Sequence, residues 1–477
     1  MIRCRGYAGP SACRCASGGP RRLAHNGAEP PGPRTRPEDS GAAISSRRHA
    51  HFIVFLTSDG YHEAGWRMHE FDGSDPIGLL SYIRSTAIAE RGLLDAAFFA
   101  DRLALTPFRA RAFPQTHHDP VQMLVALAMT SERIGLIATA STTFSTPWDL
   151  ARRFATADHI SGGRIGWNVV TTYDPKAAEN FGLTLPEHDD RYRRAEEFVE
   201  ITKRLWDSWE DGALVRDPLA GVWADTARIH PADFRGEYYS VAGALSVPRS
   251  PQAHPVLAQA GSSPAGIELA GMTADVVFTP QASVEAGAAF RERVDAAAQR
   301  HGRQAGEIRI LPGLGFVLGS TETEAASRRR TLEESVDYTF RWQMLATNAG
   351  LNIEQIDPSQ PLSEELAATA APTSFARNIV EQARKTKLPF GDLAASVTGL
   401  PGGLEFTGSP ERLADLVEGW LDRGGSDGFT LQPATVPEDL QLFADHVVPI
   451  LQQRDLFRRE YAGSTLRDHL GLPPVTR

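Results

Sequence analysis

Residues 158–192 read DHISGGRIGWNVVTTYDPKAAENFGLTLPEHDDRY, and turn residues, a short apolar run and a polar cluster meet there. Ser161, Gly162 and Gly163 form a turn that ends one helix, and Ile165–Val170 follows as an apolar run of strand length. Flanking glycine and a continuous apolar character predict a fully buried parallel strand that ends at Asn168. Because α/β folds place ligands at the C-terminal ends of such strands, Asn168 is expected to face a ligand. Downstream, Asp189 and Asp190 stand at the start of a long helix, RYRRAEEFVEITKRLWDSW. His188 and Tyr192 are four residues apart, so they share a face if that helix already begins at His188.

The same pattern repeats upstream. FIVFLTS (52–58) predicts an opening strand, and the loop GYHEAGWR after it carries His62 and Trp66. An amphipathic helix over 77–91 leads to DAAFFA and then Asp101, a carboxylate at a strand end whose plain structural reading is a helix cap or an ion pair with Arg102. A helix over 120–131 precedes RIGLIATASTTFSTP, a strand that ends near Ser141 and Thr142, and a helix over 147–159 returns to the central segment. Three successive strand–helix pairs therefore place polar residues at the strand's C-terminal end: Asp101, Thr142 and Asn168.

Downstream, residues 209–251 break into turns, aromatics and prolines, including HPADFRGEYYSVAG, too long for an ordinary connection and expected to be a surface insertion or lid. The strand HPVLAQAG then delivers Gly261, Ser262 and Ser263 into a helix that starts at Pro264. Proline at the first helical position with serines before it describes a helix N-terminus with free backbone donors, suited to a phosphate. Two capping serines without a ligand are the alternative. The rhythm continues with ADVVFTP, a helix over 284–301, the strand IRILPGLGFVLG and a helix from Glu322. Gly313, Gly315 and Gly319 miss the dinucleotide-binding spacing by one and are read as strand and turn glycines. A second irregular insertion is expected near 330–405. SDGFTLQP supplies the last strand and PEDLQLFADHVVPILQQR a closing amphipathic helix.

Alternating strands and helices predict parallel strands, and about eight strand candidates favour a closed (β/α)8 TIM barrel with insertions over an open sheet. Each polar residue singled out then lies on the barrel's active face. Residues 1–50, rich in Arg, Gly, Pro and Ser, are expected to form a disordered N-terminal extension, and 51–477 a single barrel domain with insertions near 209–251 and 330–405. The extension lacks the apolar core of a signal peptide.

Acidic side chains outnumber basic ones 59 to 49, a formal charge of −10 that argues against sequence-independent nucleic-acid binding. No apolar run is long enough to suggest a membrane span. All three cysteines, Cys4, Cys13 and Cys15, precede the folded body, which removes disulfides, thiol nucleophiles and cysteine-ligated zinc from its chemistry.

The blocks SGGRIGWNVVT, AAENFG and HDDRYRRAEEF, in that order, resemble the nitrilotriacetate, pristinamycin and dibenzothiophene sulfone monooxygenase group of the bacterial luciferase-like flavin enzymes, and FFADRL and QAGSSPAG extend the likeness over roughly residues 51–460. The resemblance implies a luciferase-like barrel that binds reduced FMN, with Ser262, Ser263 and Tyr192 near its phosphate and Asp101, Thr142, Asn168 and His188 around its ring or ribitol. It implies O2 as cosubstrate, a C4a-(hydro)peroxyflavin as oxygenating species and His62 as a candidate proton-transfer group. No nicotinamide motif stands out, so a separate NAD(P)H:flavin reductase is the expected partner, with a small organic substrate, a cytoplasmic setting and a homo-oligomeric (dimer or tetramer) state. Two alternatives stay open. A metal-dependent barrel hydrolase would draw on His117, His118 and Asp119, and a non-catalytic flavin-binding protein would keep the phosphate turn without oxygen chemistry.

Overall fold

The computed structural model describes residues 49–69, 74–75, 77–105, 110, 118–371, 373–397 and 403–475. Apart from His49 and Ala50, the expected N-terminal extension lies outside them, as does His117.

Eight strands close a parallel barrel: β1 (His51–Phe55), β2 (Ala96–Phe99), β3 (Gly135–Ser141), β4 (Ile165–Val170), β5 (Val256–Ala260), β6 (Val276–Thr279), β7 (Arg309–Leu318) and β8 (Gly428–Pro433). Each pairs with the next, and β8 pairs back to β1. Helices α1 (Leu79–Arg91), α2 (Pro120–Ala128), α3 (Pro147–Ser161), α4 (His188–Trp206), α5 (Pro264–Thr273) and α6 (Val284–Arg300) cross between the first seven strands. A ninth parallel strand, Leu404–Gly408, which the sequence reading missed, adds to the far half of β7 beyond β6.

Period-2 alternation sorts the strand residues onto two faces. Phe52, Val54, Leu136, Trp167, Phe429 and Leu431 point outward into one cluster with helix residues such as Phe154 and Phe198. Ile53, Ala96, Phe98, Ile137, Val256 and Leu311 point inward. Leu466 and Leu470 join this interior cluster from the short C-terminal helix Leu466–His469 and the residue after it, closing the N-terminal end of the barrel.

Two expectations need correction. The fourth strand does not end at Asn168 but continues to Val170, because Thr142 N–H donates to the Val170 carbonyl at 3.0 Å and extends the ladder with β3. Asn168 is thus an inward-facing residue within the strand. Residues 330–405 also differ from the irregular stretch expected. They hold helices Tyr338–Asn348, Ser374–Thr386 and Phe390–Ser396, which bury their own core of Leu345, Ile356, Ile379, Phe390 and Leu393. Residues 209–251 form two short antiparallel hairpins. Glu197 of α4 holds this segment by accepting from the backbone N–H groups of Glu237, Tyr238 and Tyr239.

At the closed end, Asp95 is fully buried, accepting from Phe52 N–H at 2.6 Å and pairing with His51 at 3.0 Å and with Arg458. Burial alone would push its carboxyl up, but Arg458 and His51 outweigh it and hold the carboxyl down at about 2. A carboxyl depressed in the folded state contributes stability that is complete above its unfolded value of about 4 and is lost as pH falls through the folded value. Asp95→Asn is therefore expected to lower stability at neutral pH and to flatten its decline between about pH 4 and pH 2. Urea denaturation across that range checks this, and an unchanged acid slope would remove Asp95 from the account.

Candidate active site

The C-terminal mouth of the barrel collects most of the residues singled out in the sequence, in three sectors.

The first lies after β5. Ser263 is the N-cap of α5, its hydroxyl accepting from Gly266 N–H at 3.1 Å, with Pro264 at the first helical position. The capping reading of that serine is therefore realised, and it coexists with the anion reading because a helix N-terminus still favours a negative charge. The Tyr192 hydroxyl stands 3.5 Å from Ser263 Oγ. Helix α4 does begin at His188, so His188 and Tyr192 share a face, ring centroids 5.0 Å apart. A Cβ on Gly266 would sit 3.2 Å from Ser263 Oγ and 3.3 Å from the Tyr192 hydroxyl, so the glycine keeps this hydroxyl-lined cradle open. Beneath it, Gln259 is buried with Oε1 unpartnered. A pair of hydroxyls, a helix N-terminus and space at a glycine fit a phosphate.

The second sector lies over β2–β4. Asn168 is buried inside the barrel and donates from Nδ2 to Thr139 Oγ1 at 2.9 Å, its register partner on β3. Thr142 is buried as well, its hydroxyl donating to Val170 O at 3.3 Å, which ties the ends of β3 and β4 together. Asp101 follows β2 by two residues. Burial, with the nearby Asp119 adding to it, pushes its carboxyl up to about 6 against the Arg102 backbone N–H and Arg153. No ion pair to Arg102 forms. A carboxyl poised there exchanges a proton near neutrality.

The third sector lies between β1 and β2, where a pocket of about 660 Å³, counting its open mouth, is lined by Phe55, Thr57, Asp59, His62, Trp66, Tyr82 and Phe99 among others. His62 lines it, yet both ring nitrogens are engaged. Nδ1 accepts from Ala64 N–H at 3.2 Å and Nε2 meets Glu333 Oε1 at 3.4 Å. An imidazole held at both nitrogens is fixed in one tautomer and orientation. His62 thus reaches the pocket with Nε2 beside the Glu333 carboxylate.

The sequence reading missed the charge cluster that His62 joins through Glu333. Glu333 and Arg329 come from helix α7 (Glu322–Glu334), Arg341 from the helix after it and Glu405 from the ninth strand. Only separations of some 270 residues or more connect His62 with most of this group, so no local pattern signals it. Of the residues weighed for a metal, His118 Nε2 lies 2.8 Å from Ile77 O and Asp119 caps α2 by accepting from Gln122 N–H at 3.0 Å. Among the described residues no group of three His, Cys, Asp or Glu could hold a metal ion, and no helix is long and apolar enough to cross a membrane.

The family model described as luciferase-like monooxygenase matches residues 63–427. The chain is 41% identical over 441 residues to N-acetyl-S-(2-succino)cysteine monooxygenase of Bacillus subtilis (strain 168), covering 91% of this chain and 99% of that protein. It is 41% identical over 426 residues to nitrilotriacetate monooxygenase component A of Aminobacter aminovorans, covering 87% and 94%. A crystal structure of riboflavin lyase with modified FMN and riboflavin superposes with a TM-score of 0.79 at 31% identity, covering 90% of this chain and 97% of that one.

Proposed function

The chain belongs to the luciferase-like monooxygenase family, and we propose that it works as the oxygenase of a two-component system, taking reduced FMN from a separate NAD(P)H:flavin reductase and using O2 to oxygenate a small organic substrate. The cradle at the start of α5, made by Ser263, Tyr192 and the open space at Gly266, carries this reading. Ser262 and Ser263 with the α5 N-terminus would hold the phosphate, and His188 would pack beside Tyr192 at its edge. Bound reduced flavin would supply the activation of O2, chemistry that no side chain provides.

The protein's own tasks are binding, orientation and the exclusion of water. Asn168 and Thr142 serve indirectly in this reading. Asn168 ties β4 to Thr139 within the ladder and Thr142 ties the ends of the two strands at Val170, and together these strands would form the wall against which a ring would lie. Asp101 holds or releases a proton at its carboxyl close to neutral pH. The helix Tyr338–Asn348 is bound to the loop after β1 through Arg341 and Glu63, so the helical insertion stands on the mouth side of the barrel and would shield it from solvent. A nitrilotriacetate relative named as a component A supports a divided system, and a divided system draws on the NAD(P)H of the cytoplasm. A homo-oligomer, dimer or tetramer, remains part of the proposal.

The test is reductase dependence. Purified protein with FMN and NADH should oxidise no NADH at a useful rate, and adding a flavin reductase should start oxygen consumption coupled to substrate. NADH oxidation by the protein alone at a comparable rate would overturn the two-component reading.

A further inference from the structure

The block AAENFG, residues 177–182, adds nothing to the lining of the pocket between β1 and β2 or to the contacts of the α5 cradle. It lies in the loop after β4, on the short helix Pro175–Asn180, which Asp174 caps by accepting from Lys176 N–H at 2.9 Å. Ala177 and Ala178 are buried, so the helix packs by its small side chains. Gly182, at φ +67°, turns the chain directly after it, a conformation that other residues rarely adopt. The two residues before that turn each meet a different loop. Asn180 Nδ2 donates to the Leu103 carbonyl at 2.9 Å in the loop after β2. Phe181 stacks on Phe144 in the loop after β3, with ring centroids 4.7 Å apart and planes 3° from parallel. At the base of the same loop, Thr172 Oγ1 donates to Ser141 Oγ at 2.8 Å. The loop after β4 therefore braces two others, and Asn180 reaches past β3 to do so.

The brace ends beside Asp101. Leu103 is two residues beyond that carboxyl, and residues 101–105 belong to no described helix or strand. The chain before Asp101 is fixed by the pairing of β2 with β3. Among the described residues, Asn180 alone reaches the segment 101–105 with a hydrogen bond from elsewhere in the chain. The Asp101 carboxyl has the Arg102 N–H beside it, with Asp119 and Arg153 nearby. Those two pair with each other at 3.3 Å, and no ion pair ties Asp101 to a described residue. The place of the carboxyl therefore depends on the backbone on both sides of it, and Asn180 fixes the far side. Asn180 and Phe181 are exposed. A hydrogen bond at the surface contributes little to the stability of the whole fold, so its loss falls on local geometry.

We propose that Asn180 is a positioning residue for Asp101. By holding the Leu103 carbonyl it fixes the chain just past the carboxyl and so sets where that carboxyl meets bound flavin, while the stack of Phe181 on Phe144 keeps the brace aligned. The amide acts here as a donor, because a carbonyl oxygen only accepts. Asn180→Asp keeps the shape of the side chain and, ionised, has no hydrogen to give. The inference rests on the monooxygenase reading, in which Asp101 lies against the flavin.

A double-mutant cycle on the full-length protein, read by anaerobic titration with reduced FMN, tests it. Asn180→Asp should weaken binding by about 5- to 10-fold, the worth of roughly one hydrogen bond. Asp101→Asn should weaken it as well, and the double variant should bind no worse than Asp101→Asn alone, because the first residue acts only through the second. A residue that merely braced the surface would weaken binding by the same factor whatever stands at position 101. Asn180→Ala, taken through the same cycle, carries the test if the aspartate variant does not fold. Additive losses overturn the positioning role, and so does unchanged affinity in Asn180→Asp or in Asp101→Asn. Each of those outcomes leaves the flavin reading intact, since the wild type still binds reduced FMN. A wild type that binds no reduced flavin would strike that reading, and the positioning role with it.

Discussion

Replacing Ser262 and Ser263 together by alanine is expected to weaken the binding of reduced FMN by about 100-fold or more, while the melting temperature of the ligand-free protein falls only modestly. Both effects follow from one turn. The Ser263 hydroxyl already serves α5 by accepting from Gly266 N–H, and loss of such a cap costs about 0.5–2 kcal/mol. Hydrogen bonds to a charged phosphate contribute roughly 1.5–3 kcal/mol each, so two lost donors reach the predicted factor. Anaerobic titration beside ligand-free melting separates the contributions. Tyr192→Phe sharpens the comparison, because it deletes the neighbouring hydroxyl without touching a cap. Unchanged flavin affinity in the double variant, with a lowered melting temperature, would reduce the turn to a cap.

The second large effect lies at the opposite end of the barrel. Leu466→Ala is expected to cost about 2–5 kcal/mol in urea denaturation, as deletion of a fully buried leucine does where the surroundings collapse only partly. Leu466 is 0% exposed and sits among Ile53, Ala96, Ile137 and Val256. Its place is prepared by glycines on two neighbouring strands. A Cβ on Gly135 would lie 2.4 Å from Leu466 Cδ1, and one on Gly166 would lie 3.4 Å from Leu466 Cδ2. Those strands cannot easily shift inward to fill the void, since their backbones are fixed by the closed ladder. Flavin binding, at the other end of the strands, should be retained. A cost below about 1 kcal/mol, outside the range for buried leucines, would show that the C-terminal segment is not the barrel's closing plug.

How much of this was legible in the sequence depends on whether the signal is local. All eight barrel strands announce themselves as short apolar runs bounded by turns, and QAGSSPAG declares a strand, a cap and a helix start within eight residues. The His188–Tyr192 pair was readable from spacing alone, since i, i+4 fixes a shared face. The fourth strand runs two residues past Asn168, because an unbroken apolar run does not say where pairing stops. The helices of 330–405 were passed over for the prolines and alanines around them, although SFARNIVEQARKT repeats apolar residues at helical spacing. The ninth strand, LEFTG, is five residues that follow Gly403 and end in Gly408, and it acquires its pairing only from β7. Nothing near His62 in the chain predicts Glu333, nor anything near Gly315 the carboxyl of Glu405. Those contacts exist only once the barrel has closed and the insertion has docked, as is usual for charge clusters assembled from distant segments.

The central claim, that this mouth holds reduced FMN by its phosphate, is tested most directly by anaerobic titration of the wild-type protein with reduced FMN and with reduced riboflavin, which differ only in that phosphate. Reduced FMN should bind tighter by about 100-fold, the worth of roughly two charge-assisted hydrogen bonds, and Ser262→Ala with Ser263→Ala should erase most of the difference. Equal affinity for the two flavins would contradict the account.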